Sequence, residues 1–158
     1  MEKNNNKRTA IYLRASYSET ADGKYSILNQ KERLLAFCKV QGLQIKDKHI
    51  YHDIGSGTAP IGKRAGLGKL MSAARRGEFD TVIVYKIDRL SRSLHLLLFT
   101  IKELEKNKVN LHSISEAIDT GSTQGSLMLS MATLFADAEK ATIHARHRAC
   151  YCDDRDCD

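Results

Sequence analysis

The chain has 158 residues, 42% hydrophobic and 28% charged, which leaves room for one domain with its own core and none for two full ones. Its 25 Lys and Arg against 19 Asp and Glu leave a net charge of +6, a mild excess that suits either a polyanionic partner or a plain basic protein. A single Pro excludes a Pro-rich linker, no apolar run is long enough to span a membrane, and the opening MEKNNNKRTA lacks a signal-peptide core.

Residues 9–13 (TAIYL) form a short apolar run rich in β-formers and predict a strand. Residues 14–24 are polar, contain Gly23, and predict a loop. A helix follows: Ser26 can cap it, Ile27, Leu34, Phe37 and Cys38 recur at helical spacing, and Gly42 suits its stop. Residues 45–52 read as a second strand, and residues 54–62 (IGSGTAPIG) as a mobile loop. The next helix covers about residues 64–76, with Leu67, Leu70, Met71 and Ala74 on one face and Gly77 at its end. Residues 79–85 (FDTVIVY) make the most continuous β-branched run, as expected of a central buried strand. A helix at about 93–107 and a strand at 109–114 follow.

Strands alternating with helices predict an α/β fold, a mostly parallel central sheet with helices on both faces. From about residue 123 the pattern changes to one long amphipathic helix, with apolar residues at 127, 131, 134, 135, 138 and 143. Its stripe fits either a core helix or a subunit interface.

Three segments carry chemistry. In Tyr12-Leu13-Arg14-Ala15-Ser16 a strand ends in an Arg and a Ser two apart, which places hydroxyl and guanidinium on one side of a continuing strand. That is the edge where open α/β sheets place their sites. In Lys86-Ile87-Asp88-Arg89-Leu90-Ser91-Arg92 a buried strand emerges into charge. A helical turn starting near Asp88 would make Arg89 and Arg92 neighbours on one face, a forked clamp for phosphate; a solvated charge run is the other reading. The Gly-rich loop from Asp53 to Arg64 admits a nucleotide-binding alternative, since Gly57 to Lys63 fits the first seven positions of a phosphate loop. Arg64 then stands where a metal-binding Ser or Thr belongs, and a polar stretch separates the loop from its strand.

Together and in this order, YLRAS, YSILNQ, YHDIGSG with KRAGL, VYKIDRLSRS and ISEAIDTGSTQGSLMLSMATLFADAEKATI resemble the resolvase/invertase family of serine recombinases. The look is nearest to its large, integrase-like branch, and the resemblance covers residues 9–148. It implies a resolvase-like catalytic domain in which Ser16 attacks a DNA phosphate and forms a 5′-phosphoserine link, with the bond energy kept for rejoining. It assigns Arg14, Arg64, Arg89 and Arg92 to the active site and to DNA contact, and Asp88 to orienting them or handling a proton. Tyr12, Gln30, Asp53, Ser56, Lys86 and Glu139 match supporting positions. Lys140, beside Glu139, stands where the family commonly has Arg and keeps the charge for contact with DNA or between subunits without the fork, and Ala65 stands where it commonly has Pro. The resemblance implies neither metal nor other cofactor and no small-molecule substrate. It makes the helix at about 123–148 the oligomerisation helix of a homodimer and of the tetramer that exchanges strands.

This leaves residues 1–8 as a disordered lead and residues 149–158 as an irregular Cys/Asp-rich tail, with the family's following DNA-binding domain expected to be absent. A truncated, non-catalytic oligomerising remnant is the alternative reading. Cys150, Cys152 and Cys157 in the tail, with His144 and His147, supply zinc-type ligands but match no common zinc module; a frayed tail is the plainer reading. With Cys38 read as a buried apolar residue, the cysteines form no disulfide framework, which points to a reducing cytoplasm.

Overall fold

The computed structural model describes residues 8–17, 27–116 and 118–125. Within them the elements in chain order are strand β1 (Arg8–Ala15), helix α1 (Ile27–Val40), strand β2 (Gln44–Ile54), a 3-10 turn (Ile61–Lys63), helix α2 (Ala65–Arg75), strand β3 (Thr81–Val84), the short helix α3 (Ile87–Leu90), helix α4 (Leu94–Lys106), and strands β4 (Asn110–Ser113) and β5 (Ile118–Asp119). The strands form one sheet in the order β2-β1-β3-β4-β5. All neighbours are parallel except β5, which runs antiparallel to β4.

Helices cover both faces, as the alternation predicts. On one face Ala10, Tyr12, Val82, Val84 and Leu111 pack with Leu67, Leu70 and Met71 of α2 and with Ile101 and Leu104 of α4. On the other, Ile11, Leu13 and Ile83 pack with Leu34 and Cys38 of α1. Burial of each large aliphatic side chain of this kind stabilises by about 1.5–3 kcal/mol, and both faces of β1 take part. The helix stops fall where predicted: α1 ends before Gly42 and α2 before Gly77, both in the left-handed region. The Leu43 and Glu78 amides reach back to the Cys38 and Ala73 carbonyls there, which closes each last turn.

One expectation is corrected, and one element is added. Arg14, predicted to open a loop, lies inside β1, where it pairs with Asp53 of β2. Its side chain is fully buried because backbone carbonyls take up the guanidinium. The loop expected at 54–62 is found, running from the last residue of β2 through turns into the 3-10 turn. β5 went unpredicted, since two residues show no periodicity and it exists through pairing with β4. The Ser26 cap, most of the long helix, Glu139, Lys140 and the Cys/His tail lie outside the described residues. No described helix is long and apolar enough to cross a membrane.

Candidate active site

The site forms where β1 and β3 end and α3 begins. β1 alternates, so Ala10, Tyr12 and Arg14 turn to the α2/α4 face. At its end Arg14, with no exposed surface, spreads its fork over three backbone carbonyls. Nε donates to Arg89 O at 3.2 Å, Nη1 to Gly55 O at 3.1 Å and Nη2 to Asp88 O at 3.0 Å. Arg64, 4% exposed, enters from just before α2. Its Nη1 donates to Leu90 O at 2.5 Å, and its Nη2 to Arg89 O at 3.1 Å and Tyr12 Oη at 2.5 Å.

The cause is local. A short helix ends in carbonyls without intrahelical partners and with partial negative charge, and α3 turns those of residues 88–90 toward two guanidiniums. Charge-assisted bonds of this kind are stronger than neutral ones. Arg89 closes the group, donating from Nη1 to Arg14 O at 3.3 Å while its Nε stands 3.3 Å from Asp88 Oδ1. Gln30 of α1 donates to the same Arg14 carbonyl at 3.0 Å.

Tyr12 joins this cluster to α2. Its hydroxyl accepts from Arg64 and donates to Asp53 Oδ2 at 2.8 Å. Burial pushes the phenol well above its ordinary range, so it keeps its proton for that bond. Asp53 also accepts from the Gly66 and Leu67 amides at 2.8 and 2.9 Å, an N-terminal cap for α2 supplied from the neighbouring strand rather than from the helix's own sequence.

Arg92 is exposed and belongs to the same group through Gly57. A Cβ built on Gly57 would stand 2.8 Å from Arg92 Cγ and 3.1 Å from Arg14 Cζ. The expected shared helix face of Arg89 and Arg92 is not found. α3 stops at Leu90, Ser91 is extended, and Arg89 turns inward while Arg92 turns outward. Ser16 follows directly on β1, two residues past Arg14, and is half-buried.

Of the supporting positions, Tyr12, Gln30 and Asp53 lie in this network. Ser56 sits on the exposed loop, its hydroxyl 2.8 Å from that of Thr58. Lys86 precedes α3 in extended backbone. The nucleotide-loop alternative fails on placement, because Gly57 is packed against Arg14 and Arg92 and Arg64 turns its guanidinium into the core.

Glu116 escaped the sequence reading. It accepts from the Ile87 amide at 3.2 Å and from the Ser113 hydroxyl, which ties the turn after β4 to the first residue of α3. The spacing Ser113-x-x-Glu116 was a visible signal for a local turn, but its tie to α3 is long-range.

Four guanidiniums against the two carboxylates of Asp53 and Asp88 leave the region positive, which suits a phosphodiester. Arg64 Nε is buried with no hydrogen-bond partner among the described residues. Such a group costs stability.

Residues 9–152 match the family described as the N-terminal domain of resolvase. The chain is 30% identical over 139 residues to the transposon Tn552 resolvase of Staphylococcus aureus, covering 87% of this chain and 64% of that protein's length. The N-terminal catalytic domain of TP901-1 integrase superposes with a TM-score of 0.76 at 36% identity, covering 86% of this chain and 98% of that one. A resolvase family site-specific recombinase from Streptococcus pneumoniae does so with a TM-score of 0.74 at 26% identity, covering 94% and 99%. The chain belongs to the resolvase/invertase family of serine recombinases and holds that family's N-terminal domain.

Proposed function

We propose that this chain is the strand-breaking domain of a site-specific DNA recombinase, with Ser16 as nucleophile. The observation that carries the reading is the convergence of Arg14, Arg64, Arg89 and Arg92 at the end of the strand that delivers Ser16. The Ser16 oxygen attacks a DNA phosphorus and gives up its proton. The bond from phosphorus to the 3′ oxygen breaks, and that oxygen leaves as a hydroxyl after taking a proton. The product is a phosphoserine ester on the 5′ side, and the reverse attack by a 3′ hydroxyl rejoins DNA with no outside energy source.

Phosphoryl transfer needs positioning and charge stabilisation above all. Arg92, on the exposed side, meets the phosphate first. Arg14, Arg64 and Arg89 stand behind it in a field fixed by the α3 carbonyls, and preorganised charge costs little reorganisation at the moment of reaction. Asp88 holds Arg89 by the ion pair through its Oδ1.

In this reading residues 9–148 are the catalytic domain, and the helix at about 123–148, with Glu139 and Lys140, joins copies into a dimer and then a tetramer. DNA is the partner, and the cytoplasm is the working compartment. Residues 1–7 and 149–158 flank the working part, since Arg8 already opens β1.

The test uses a random-sequence duplex library carrying nicks, so that a short 3′ fragment diffuses away and traps the ester. A denaturant-resistant protein–DNA adduct that maps to Ser16 and vanishes in Ser16→Ala is expected. An adduct that persists in Ser16→Ala would overturn the assignment. Dimers with no adduct at any sequence would favour the oligomerising remnant.

A further inference from the structure

The loop between β2 and the 3-10 turn meets the end of α3 and the start of α4 at one hydroxyl. Ser91 is 4% exposed. Its Oγ lies 3.3 Å from Gly57 O and 3.1 Å from Ser93 O, and it accepts from the Ser93 amide at 3.1 Å. Gly57 O also accepts from the Arg92 amide at 3.0 Å. The single Ser91 hydroxyl proton is shared between the Gly57 and Ser93 carbonyls, and the Gly57 carbonyl also takes the amide of Arg92, the exposed arginine of the site.

Gly57 is buried, and its Cα side faces the arginines. A Cβ there would approach Arg92 Cγ to 2.8 Å and both Cζ and Nη2 of Arg14 to 3.1 Å. Two residues upstream, Gly55 O accepts from Arg14 Nη1 at 3.1 Å. The short stretch from Gly55 to Gly57 thus sets one guanidinium by a carbonyl and bounds two of them by a missing side chain. Ser91 holds that stretch down.

We propose that Ser91 and Gly57 are a positioning pair for the strand-breaking reaction: the Ser91 hydroxyl fixes the Gly57 backbone, and the Gly57 backbone sets the spacing between the Arg14 and Arg92 side chains. Neither residue touches the phosphate. The inference rests on the proposed recombinase chemistry for its consequence, and on the arginine geometry alone for its cause. Misplacing a catalytic group by about 1 Å costs up to about a hundredfold in rate. DNA affinity, by contrast, follows exposed charge, which substitution of Ser91 leaves unaltered.

The experiment has two arms on the full chain. The first needs no DNA and follows the Nε–H resonances of Arg14 and Arg92 by nitrogen-15 NMR. These signals shift in folded Ser91→Ala and in Ser91→Cys, which fills the space with a poor donor. They stay in place in Ser91→Thr and in Ser72→Ala, an exposed hydroxyl on α2. Unmoved arginine signals in Ser91→Ala overturn the proposal whatever DNA does.

The second arm measures adduct formation with the nicked library. In Ser91→Ala and Gly57→Ala the rate at saturating DNA falls by about tenfold or more, while the half-saturating DNA concentration stays within about twofold. Ser91→Thr restores the rate. A rate equal to that of the unaltered chain, or a loss only in DNA affinity, overturns the proposal. An unaltered chain that forms no adduct counts against the recombinase reading instead, and the NMR arm still decides this one.

Discussion

Arg14 and Arg64 share one acceptor, the Arg89 carbonyl, which Arg14 Nε approaches to 3.2 Å and Arg64 Nη2 to 3.1 Å. Two like charges converge on one oxygen because that oxygen closes a helix and carries its dipole. The cluster is held by main chain, so the side chains that hold it are not interchangeable with other cations.

Arg14→Lys tests this directly. An ammonium keeps the charge but is a point, and it cannot reach the Gly55, Asp88 and Arg89 carbonyls together. We expect a loss of about 2–4 kcal/mol in urea denaturation with an unchanged m-value, and loss of adduct formation. A change under about 1 kcal/mol would mean the three carbonyls find other donors.

Tyr12 and Asp53 form the second support. Tyr12→Phe keeps the ring and removes the hydroxyl that accepts from Arg64 and donates to Asp53. Asp53→Asn leaves an amide where three donors now meet two carboxylate oxygens. Each single change is expected to cost about 1–2 kcal/mol. The double variant should cost clearly less than the sum, since both remove the same bond. Strict additivity in denaturation curves would separate the two residues.

Seven of the main elements were legible because their signals are local. The run at 79–85 announced β3, and the spacing of Leu67, Leu70, Met71 and Ala74 announced α2. The order of motifs also named four arginines that lie close together in the fold. What could not be read was the partner of each: Arg14 bonds residues 41 and 75 positions away, and no periodicity encodes that. Charge misled in one place, since an Arg after TAIYL looks like the start of solvent, whereas here α3 supplies the carbonyls that let it stay inside the sheet. A helix continuing past Leu90 would put Arg89 and Arg92 on one face, and the extended Ser91 ends it.

Cys38 gives a check on the α1 face of the core. Burial raises its thiol from the ordinary 9.0 to about 11, so at pH 8 the thiolate fraction drops about a hundredfold. Alkylation of Cys38, followed by peptide mass mapping, should be much slower in the folded chain than in urea, because the thiol is both buried and harder to ionise. Equal rates in the two states would mean that α1 does not seal this face against β1.

The last prediction concerns acid. His49 is 4% exposed and packs edge-on against Phe79, with Nε2 at 3.3 Å from Glu78 Oε2. Burial lowers its pKa below the ordinary 6.5, and Lys48 and Lys46 push the same way against the pull of Glu78. Glu78 is itself lowered to about 2, first by the hydrogen bonds from Arg76 and Lys48. Both groups bind protons less readily when folded than when unfolded. Their contributions are therefore complete above the unfolded values and are lost as pH falls. For His49 the loss starts below pH 6.5, and for Glu78 it runs from 4.5 toward about 2. Because Glu78 lies at the surface, salt weakens its share and leaves that of the buried imidazole. His49→Gln removes the first step alone. Urea midpoints measured from pH 7 to pH 5 should fall for the unaltered chain and stay nearly level for His49→Gln. Parallel slopes would show that His49 takes up its proton inside the fold as easily as outside it.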